Sequence, residues 1–535
     1  MISPNPLNTR FALRACMVAA SVVGLAACST LPSPPPDSTQ FLQPTEQTTD
    51  NQSVFSCSRY YRELDRLIVR FHVQDAQTTA IRGYPYLHVN RLLAGLTQHI
   101  DHPDKLAMWL KLAAQLALQT NSIELNNLPE SALQELIQIV PPHLSGQEPG
   151  SVLTLCSQTL LRYQIASTTD RQKILTHARV PDNYRTWQRI VGLYPIVSLA
   201  VAAGINNWHQ KSSAVLQTPL ANLPVKGRLT RYYTDTHTAY SDASDVQSAI
   251  DAAKQNPLGF PLLDSETQQR LFATFAPLWE IDTVQSDDKI GAPDWPSGEA
   301  NAHVDTSRPT VYTLLSHAIF GGEILVQLNY IVWFPRRPCT SSLDFLCGHM
   351  DGLTWRVTLG TDGNPLIYDA IHNCGCYHTF FPTQYLRAIP PPPVTVESRA
   401  TLDEAAFAPL QAPPIKPPQK LVLRIAPTSH HIVSVNVQQT QQDDSNYEEI
   451  AAAWDNYHTL RSLPHDYPPI KRKSLFQENA IVTGSQRKER WFFWPLGVPS
   501  AGAMRQWGNH ATAFIGRRHF DEPYLFEHAF TAGEP

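Results

Sequence analysis

The stretch LTWRVTLGTDGNPLIYDAI, residues 353–371, places two runs of β-prone residues on either side of Asp362-Gly363. An Asp-Gly step between such runs is the strongest short-range signal for a β-hairpin. Upstream, GEILVQLNYIVWFP (residues 322–335) predicts a long strand, and downstream, KLVLRIAPTSHHIVSVNV (residues 420–437) predicts a second hairpin. We therefore expect residues 301–535 to form a β-rich mixed domain.

The preceding segment, residues 54–215, differs in character, because its apolar residues recur at helical spacing. The clearest examples are SRYYRELDRLIVRFHVQDAQ (58–77), KLAMWLKLAAQLALQT (105–120) and ESALQELIQIV (130–140). Residues 216–300 are mixed and polar and predict a connecting region. The fold class expected for the whole chain is α+β, with a mainly helical N-terminal domain before the β-rich one.

Three further segments have local predictions. DNYRTWQRIVGLYPIVSLAVAAGINNWHQ (182–210) contains a long apolar stretch interrupted near Gly192 and Pro195, which predicts a buried helix pair, with a segment in a membrane interface as the alternative. YEEIAAAWDNYHTLRSLP (447–464) predicts a return to helix. The proline clusters of residues 389–420 predict a surface excursion rather than core.

The chain begins MISPNPLNTRFALRACMVAASVVGLAACST, where two arginines precede an apolar run that ends Leu25-Ala26-Ala27-Cys28. The run, residues 15–27, is shorter than the roughly 18 residues of a membrane-spanning helix and has the flanks of a cleaved signal. This leader resembles the lipobox of bacterial lipoprotein precursors, in which a branched apolar residue and two small residues precede the cysteine that is lipidated.

The resemblance implies that residues 1–27 are a signal peptide and that Cys28 is lipidated, with acyl groups such as palmitate. More than one acyl chain holds a protein to a bilayer more firmly than a single chain does. Ser29 stands where an aspartate would favour retention in the inner membrane of a Gram-negative cell. The resemblance therefore implies an outer-membrane lipoprotein that faces the periplasm, with residues 28–53, rich in Pro, Ser, Thr and Gln, as a disordered tether.

The composition of the 535-residue chain sets further bounds. Its 42% hydrophobic content is ample for one large core or two to three domains, and its formal net charge of −5 argues against a nucleic-acid partner. Cys16 is lost with the leader and Cys28 is lipidated, which leaves an even set of cysteines and favours disulfides in an exported protein. Proximity along the chain suggests the pairs Cys57–Cys156, Cys339–Cys347 and Cys374–Cys376.

The densest group of metal-ligand residue types is HNCGCYH, residues 372–378, where two histidines and two cysteines alternate with other residues. In a straight strand His372 and His378 would lie about 20 Å apart. A four-ligand site for zinc or another transition metal therefore needs the sharp turn that the central glycine permits. Three interpretations stay open: structural disulfides beside ordinary histidines, a metal site, and a thiol–disulfide exchange pair at Cys374 and Cys376.

Other candidate site residues are spread along the second half of the chain. His317 is a further candidate ligand, and a bend at the following glycines would let Glu323 reach the pocket of His372. The carboxylates of Glu323, Asp351 and Asp369 are candidates for a general base or for partners that orient a histidine. Clustered arginines among aromatic residues near the C-terminus suit an anionic ligand. These arginines are Arg505, Arg517 and Arg518.

No sequence motif fixes a reaction, because G-x-S-x-G, Walker, H-E-x-x-H and C-x-x-C-H patterns are all missing. The first hypothesis is therefore a non-catalytic envelope lipoprotein, a binding or scaffold module whose partners are the bilayer, through Cys28, and an envelope protein or anionic ligand. One alternative is a periplasmic metal-dependent hydrolase in which His372 and His378 hold the metal. The other is a thiol–disulfide exchanger that uses Cys374 and Cys376.

Overall fold

The structure, a computed structural model, describes residues 49–167, 170–390, 404–417, 419–438, 447–466 and 471–533. The predicted signal peptide 1–27 lies outside these ranges, and so does the tether as far as residue 48. The described helices are α1 (Thr49–Arg70), α2 (Arg91–Leu96), α3 (Pro103–Asn127), α4 (Glu130–Ile137), α5 (Pro149–Ala166), α6 (Arg171–His177), α7 (Thr186–Val191), α8 (Tyr194–Leu216), α9 (Ala243–Ala253), α10 (Ser265–Phe275), α11 (Arg490–Phe493) and α12 (Leu525–Ala529).

The described strands are short in the first half of the chain and long in the second. They are β1 (Thr79–Ile81), β2 (Tyr84–Val89), β3 (Arg228–Tyr233), β4 (Leu278–Thr283), β5 (Ala292–Asp294), β6 (His303–Asp305), β7 (Thr310–Phe320), β8 (Glu323–Arg337), β9 (Gly348–Leu359), β10 (Pro365–His372), β11 (Thr379–Pro382), β12 (Leu386–Ala388), β13 (Leu421–Ile425), β14 (Ile432–Val437), β15 (Tyr447–Ala451), β16 (Ala453–Asn456), β17 (Leu463–Pro464), β18 (Arg472–Lys473) and β19 (Phe530–Ala532). Helices concentrate in the N-terminal half and strands in the C-terminal half, so the protein has the predicted α+β fold.

The helices α1, α3, α4 and α5 form the N-terminal part, and the first three confirm the predictions from apolar periodicity. Their buried faces meet around Tyr61 and Trp109, whose side chains are fully enclosed. The disulfide Cys57–Cys156, with an S–S distance of 2.05 Å, joins α1 to α5. This disulfide confirms the predicted pairing and closes the helical segment on itself.

The main sheet has six strands in the order β11-β10-β9-β8-β7-β16. The predicted hairpin is confirmed: β9 and β10 pair antiparallel, and Gly363, at the turn, has φ of +77°. Glycine adopts this left-handed backbone conformation at no steric cost, because it has no Cβ atom. The edge strand β16 pairs parallel with β7 and extends the sheet beyond the hairpins.

A second sheet has five strands in the order β14-β13-β4-β3-β15. The predicted second hairpin is confirmed as the antiparallel pair β13–β14. The helix predicted for residues 447–464 is wrong, because this segment forms β15, β16 and a 3-10 turn at Tyr457–Arg461. Both strands add to open sheet edges, at β3 and β7, and backbone pairing there outweighs the helix propensity of the alanines.

The two sheets and the helical segment share core residues. Trp279 of the five-stranded sheet and Trp355 of the six-stranded sheet belong to one apolar cluster, which α9 and α10 complete. Ile319 and Ile324, from β7 and β8, pack instead into the cluster of the N-terminal helices. The described residues therefore belong to one compact unit, which contains residues from both halves of the chain.

Part of the proline-rich segment 389–420 also belongs to this unit. Phe407, Ala412 and Ile415 are buried, and the Phe407 ring stacks on His209 of α8 with a centroid distance of 4.1 Å. The described residues 404–417 thus correct the expectation of an excursion that stays at the surface. Apolar residues between the prolines anchor the segment to the body.

The apolar segment 182–210 forms helices α7 and α8, which meet at the predicted break at Gly192. A Cβ atom on Gly192 would lie 2.5 Å from the Pro495 backbone, so glycine is required for this close approach. The predicted burial of the pair is wrong, because Ile190 and Ile196 are largely exposed. Within the described part of the chain, no helix is long and apolar enough to cross a membrane.

Candidate functional site

The HNCGCYH segment turns sharply between β10 and β11. The His372 amide donates a hydrogen bond to the Cys376 carbonyl (3.1 Å), and the Gly375 amide donates to the His372 carbonyl (2.7 Å). Gly375 has φ of +88°, and a Cβ atom there would lie 2.9 Å from the Ala511 carbonyl oxygen. The turn therefore needs glycine, and of the two conformations considered, turned and straight, the turned one is present.

The two histidines of this turn face different carboxylates. His378 Nε2 lies 2.8 Å from Asp369 Oδ2, whereas His372 Nδ1 lies 3.6 Å from Asp351 Oδ1. All four side chains are buried. Across the described ranges no group of three or more His, Cys, Asp or Glu side chains is placed to hold a metal ion. The metal site expected at His372 and His378, with or without the two thiols, is therefore not assembled here.

Asp369 belongs to a buried ion pair that spans two neighbouring strands. Its register partner on β9 is Arg356, whose Nε lies 2.8 Å from Asp369 Oδ1 and whose guanidinium stacks 3.7 Å above the Phe520 ring. Burial raises the pKa of Asp369, but the Arg356 charge outweighs this effect and holds that pKa below its ordinary value. Burial also lowers the pKa of His378 to about 4, so its ring is neutral at pH 7.

Asp351 is the centre of a second buried network, at the start of β9. Its carboxylate accepts a hydrogen bond from Arg487 Nη2 (3.0 Å) and lies 2.8 Å from His430 Nδ1. Burial raises the pKa of Asp351, but the Arg487 charge outweighs this and holds the pKa well below its ordinary value. Burial lowers the pKa of His430, but Asp288 and Asp351 together raise it above the ordinary value.

In these two networks Asp351 and Asp369 are partners of histidines. This is one of the two roles that the sequence suggests for them, and the other is that of a general base. Neither carboxylate has access to solvent, since both side chains are 0% exposed. A general base must reach the proton that it abstracts, directly or through one water. The geometry therefore makes these carboxylates positioning groups within the core.

The two cysteines of the turn remain thiols. Cys374 and Cys376 are buried and not bonded to each other, so the third predicted disulfide is not formed. Cys339–Cys347 is formed as predicted, with an S–S distance of 2.00 Å. A hydrogen bond between the thiols lowers the pKa of Cys374 and raises that of Cys376. The two thiols therefore differ in pKa, and both are buried.

The three candidate arginines near the C-terminus have separate protein partners. Arg505 donates to backbone carbonyls, Arg517 pairs with Asp182, and Arg518 Nη1 donates to the Glu404 carbonyl (2.9 Å). Each of the three guanidinium groups is therefore engaged by a different part of the protein. The geometry therefore does not assemble the anion site that their clustering in the sequence suggested.

Glu323 and His317 lie apart from the HNCGCYH turn. Glu323, at the turn between β7 and β8, is 57% exposed and lies 3.2 Å from Lys254 Nζ, so it does not reach the pocket of His372. His317, in β7, packs against the Phe260 ring with a centroid distance of 4.5 Å. His317 also lines a cleft that has the dimensions of a ligand site.

The cleft lies between the helices α2 and α3 on one side and β7 and β8 on the other, and its volume is about 390 Å³. This volume falls in the range of small-molecule sites, which is roughly 300–1,000 Å³. Leu92, Leu116, Phe260 and Trp507 supply apolar surface to its walls. The walls of the cleft therefore come from the helical segment, the main sheet and the C-terminal loops.

The polar groups of the cleft are largely neutral. Gln115 and Gln119 lie one turn apart on the exposed side of α3. Gln77 Oε1 and His317 Nε2 are buried and have no hydrogen-bond partner among the described residues. Burial lowers the pKa of His317 to about 3, so this ring is also neutral at pH 7. The cleft thus offers amide and imidazole groups without net charge.

The formal charges at the cleft neutralise each other. Arg91 Nε lies 3.1 Å from Asp521 Oδ1, and Arg91 Nη2 donates to Asn183 Oδ1 (2.6 Å). Burial lowers the pKa of His458, which also lines the cleft, to about 3. No unbalanced charge on these lining residues would attract an ionic ligand.

Comparison of the chain with protein-family models, with curated proteins and with solved structures finds no match.

Sequence reasoning missed several of the groups that build these sites. His430 and Arg487, which hold Asp351, come from distant parts of the chain, and Gln77 lies in a loop without a motif. The one available signal was the doublet His430-His431 at the start of a predicted strand.

Proposed function

We propose that this chain is a lipid-anchored lipoprotein of the bacterial outer membrane, facing the periplasm, and that it is a non-catalytic binding module. The leader that ends Leu25-Ala26-Ala27-Cys28 supports the anchor. The cleft supports the binding role, and one observation in it carries the argument: Gln77 Oε1 and His317 Nε2 have no partner among the described residues. A buried polar atom without a partner costs about 1–3 kcal/mol, which a ligand with matching groups recovers.

The chemistry of the lining favours a neutral, polar ligand. Phe260 and Trp507 offer aromatic surface, and Gln115 and Gln119 offer both donors and acceptors. Because the charges at the rim are already paired, an ionic ligand would gain no new counter-charge. A carbohydrate, with hydroxyl groups on its edges and an apolar face for an aromatic ring, has the matching chemistry.

The binding role is tested by isothermal titration calorimetry of the acyl-free protein with neutral disaccharides, both plain and N-acetylated. We expect Gln119→Ala to weaken binding about 3- to 10-fold, the worth of one hydrogen bond of about 0.5–1.5 kcal/mol. Gln158→Ala, at an exposed position of α5 outside the cleft, is the matched control and should bind like the parent. Absence of binding by every neutral sugar, or equal loss in both variants, would refute the proposal.

The anchor is tested separately with Cys28→Ala. We expect this precursor to remain uncleaved and without acyl groups, because the lipid-accepting thiol is missing. Mass spectrometry of the membrane fraction measures both properties. A Cys28→Ala protein that is processed, acylated and fractionated like the parent would contradict the anchor and leave the cleft experiment unaffected.

A further inference from the structure

An exposed apolar surface surrounds the junction of α7 and α8. We call it the apolar face, and the residues that define it are 46–71% exposed. They are Trp187, Ile190, Leu193, Ile196, Leu199 and Trp491. Monomeric soluble proteins rarely expose contiguous apolar patches larger than a few hundred Å², and larger ones mark contact with a protein or a membrane.

The residues of the apolar face belong to one surface because α7, α8 and the segment after α11 pack together. The Trp187 and Trp494 rings lie 5.5 Å apart, and Arg189 Nε donates to the Leu496 carbonyl (2.9 Å). Trp491 lies in α11, three residues before Trp494, and is 67% exposed. The face therefore combines residues that are about 300 positions apart in the sequence.

The helix α8 presents apolar residues to solvent along one side. Ile196, Leu199, Ala200 and Ala203 are exposed and recur at i, i+3, i+4 and i+7, which places them on one face of the helix. The second half of α8 is fixed to the body through Trp208, whose ring lies 5.1 Å from Phe407. The exposed apolar side is therefore part of a firmly held helix.

The charge pattern around the apolar face matches an anionic lipid surface. From Ile190 to Gln210 the sequence contains no Asp, Glu, Lys or Arg. Basic residues stand at the margins, where Arg185 and Lys488 are exposed. An apolar centre with tryptophans and basic residues around it is typical of surfaces that enter the interfacial layer of a bilayer.

We propose that the apolar face inserts into the interface of a bilayer that contains anionic phospholipid and forms a second membrane contact beside the lipid anchor. The choice of a bilayer as occupant rests on the anchor proposed above. Twenty residues separate Cys28 from Thr49, and a chain of that length reaches at most about 70 Å. A compact unit of this size has a radius of gyration of about 23 Å, so the reach covers the whole body and every face can meet the membrane.

The test uses an acyl-free chain of residues 29–535, which retains all the residues that the structure describes. It is mixed with vesicles of phosphatidylethanolamine and phosphatidylglycerol, and the bound fraction is measured by sedimentation. We expect binding by the parent and a loss of about 100-fold in Ile196→Asp/Leu199→Asp, since each aliphatic side chain removed from water favours the bound state about tenfold or more. Circular dichroism checks that the variant is folded.

The matched control is Ile137→Asp/Leu155→Asp, which changes the same residue types at exposed positions of α4 and α5. This control should bind vesicles like the parent. Equal binding by both double variants, or no vesicle binding by the parent, would overturn the proposal. So would a parent that is dimeric in ultracentrifugation and fails to bind vesicles while Ile196→Asp/Leu199→Asp is monomeric, because the face would then join two copies. Failure of the anchor at Cys28 would not change any of these measurements.

Discussion

Replacing Arg461 by leucine is expected to destabilise the whole described unit. Arg461 lies in the 3-10 turn after β16, and its guanidinium meets Asp75, 386 residues away, through two bonds of 2.8 and 2.9 Å. Gln506 Nε2 donates a further bond of 2.7 Å to the same carboxylate. Both charged side chains are buried, so Arg461→Leu would leave the Asp75 carboxylate without its counter-charge inside the protein.

The expected magnitude follows from burial. Removing one partner of a buried ion pair costs about 3–5 kcal/mol. The entropy of unfolding is about 2.1 cal/mol/K per residue, which gives about 1 kcal/mol/K for a unit of about 490 residues. Arg461→Leu should therefore lower the midpoint of thermal unfolding by about 3–5 °C at pH 7. Differential scanning calorimetry measures this shift and shows whether the unit unfolds in one transition.

The pH dependence has a defined sign. Burial raises the pKa of Asp75, but the Arg461 charge and hydrogen bonds outweigh it and hold the pKa below the ordinary value of 3.8. The ionised carboxylate therefore stabilises the folded state above about pH 4, and this contribution is lost as pH falls through the folded pKa. The difference in melting temperature between parent and Arg461→Leu should be full at pH 7 and should shrink below pH 4.

A double variant supplies the control. Asp75→Asn/Arg461→Leu removes both charges of this buried pair, so it should melt above Arg461→Leu alone. The pair also borders the cleft, because Gln77 follows Asp75 closely and Trp507 follows Gln506. Equal melting of parent and Arg461→Leu at pH 7, or a difference that does not change with pH, would refute the role given to this pair.

Three further predictions concern buried groups. Cys57→Ala/Cys156→Ala should lower the free energy of unfolding by about 4–5 kcal/mol, because the disulfide closes a loop of 99 residues; an unchanged calorimetric melting profile would contradict this. Cys374 and Cys376 should resist alkylation in the native protein and take up two labels after denaturation, by mass spectrometry; a disulfide between them in native protein would contradict the structure. Stability should fall as pH is lowered from about 6.5 to 4, because burial lowers the pKa of His317 to about 3 and only the unfolded state gains that proton. In calorimetry, His317→Gln should reduce this dependence of stability on pH. An equal pH dependence in the parent and the variant would contradict the prediction.

The elements that the sequence predicted well are those whose cause is local. The Asp362-Gly363 turn defines its hairpin within about twenty residues, and α1, α3 and α4 follow from the spacing of apolar residues on one helix face. The segment 447–464 shows the opposite case, because its strands exist only where β3 and β7 offer open edges. Nothing inside the segment indicates those edges.

The apolar segment 182–210 shows a second limit. An apolar run indicates that water is unfavourable for these side chains, but it does not indicate whether protein or lipid replaces the water. The sequence predicts a buried helix pair, the commoner outcome, with a segment in a membrane interface as the alternative. The exposure of Ile190 and Ile196 favours the alternative, a segment in a membrane interface.

The candidate site shows a third limit, which concerns partners rather than residues. The sequence leaves two conformations open for the HNCGCYH segment, straight or turned at Gly375, and the structure has the turned one. Their carboxylate partners are fixed by strand register: β9 places Asp351 opposite Phe334 on β8, and β10 places Asp369 opposite Arg356 on β9. A shift of one residue would exchange the two faces of each strand, so the sequence alone could not assign these pairs.

The cleft and the apolar face are neighbours, and this has a consequence for how a bound ligand would be presented. Arg91, on the cleft wall, donates to Asn183 Oδ1 (2.6 Å), and Asn183 lies only four residues before Trp187 of the apolar face. Four residues of chain span at most about 14 Å. A bilayer in contact with the apolar face would therefore lie close to the rim of the cleft. Under the two proposals, a lipid at Cys28 by itself would allow the body to rotate about one attachment point, whereas a second contact at the apolar face would fix which side faces the membrane. Neutral sugars at the membrane surface would then lie closer to the cleft than sugars on the opposite side of the body.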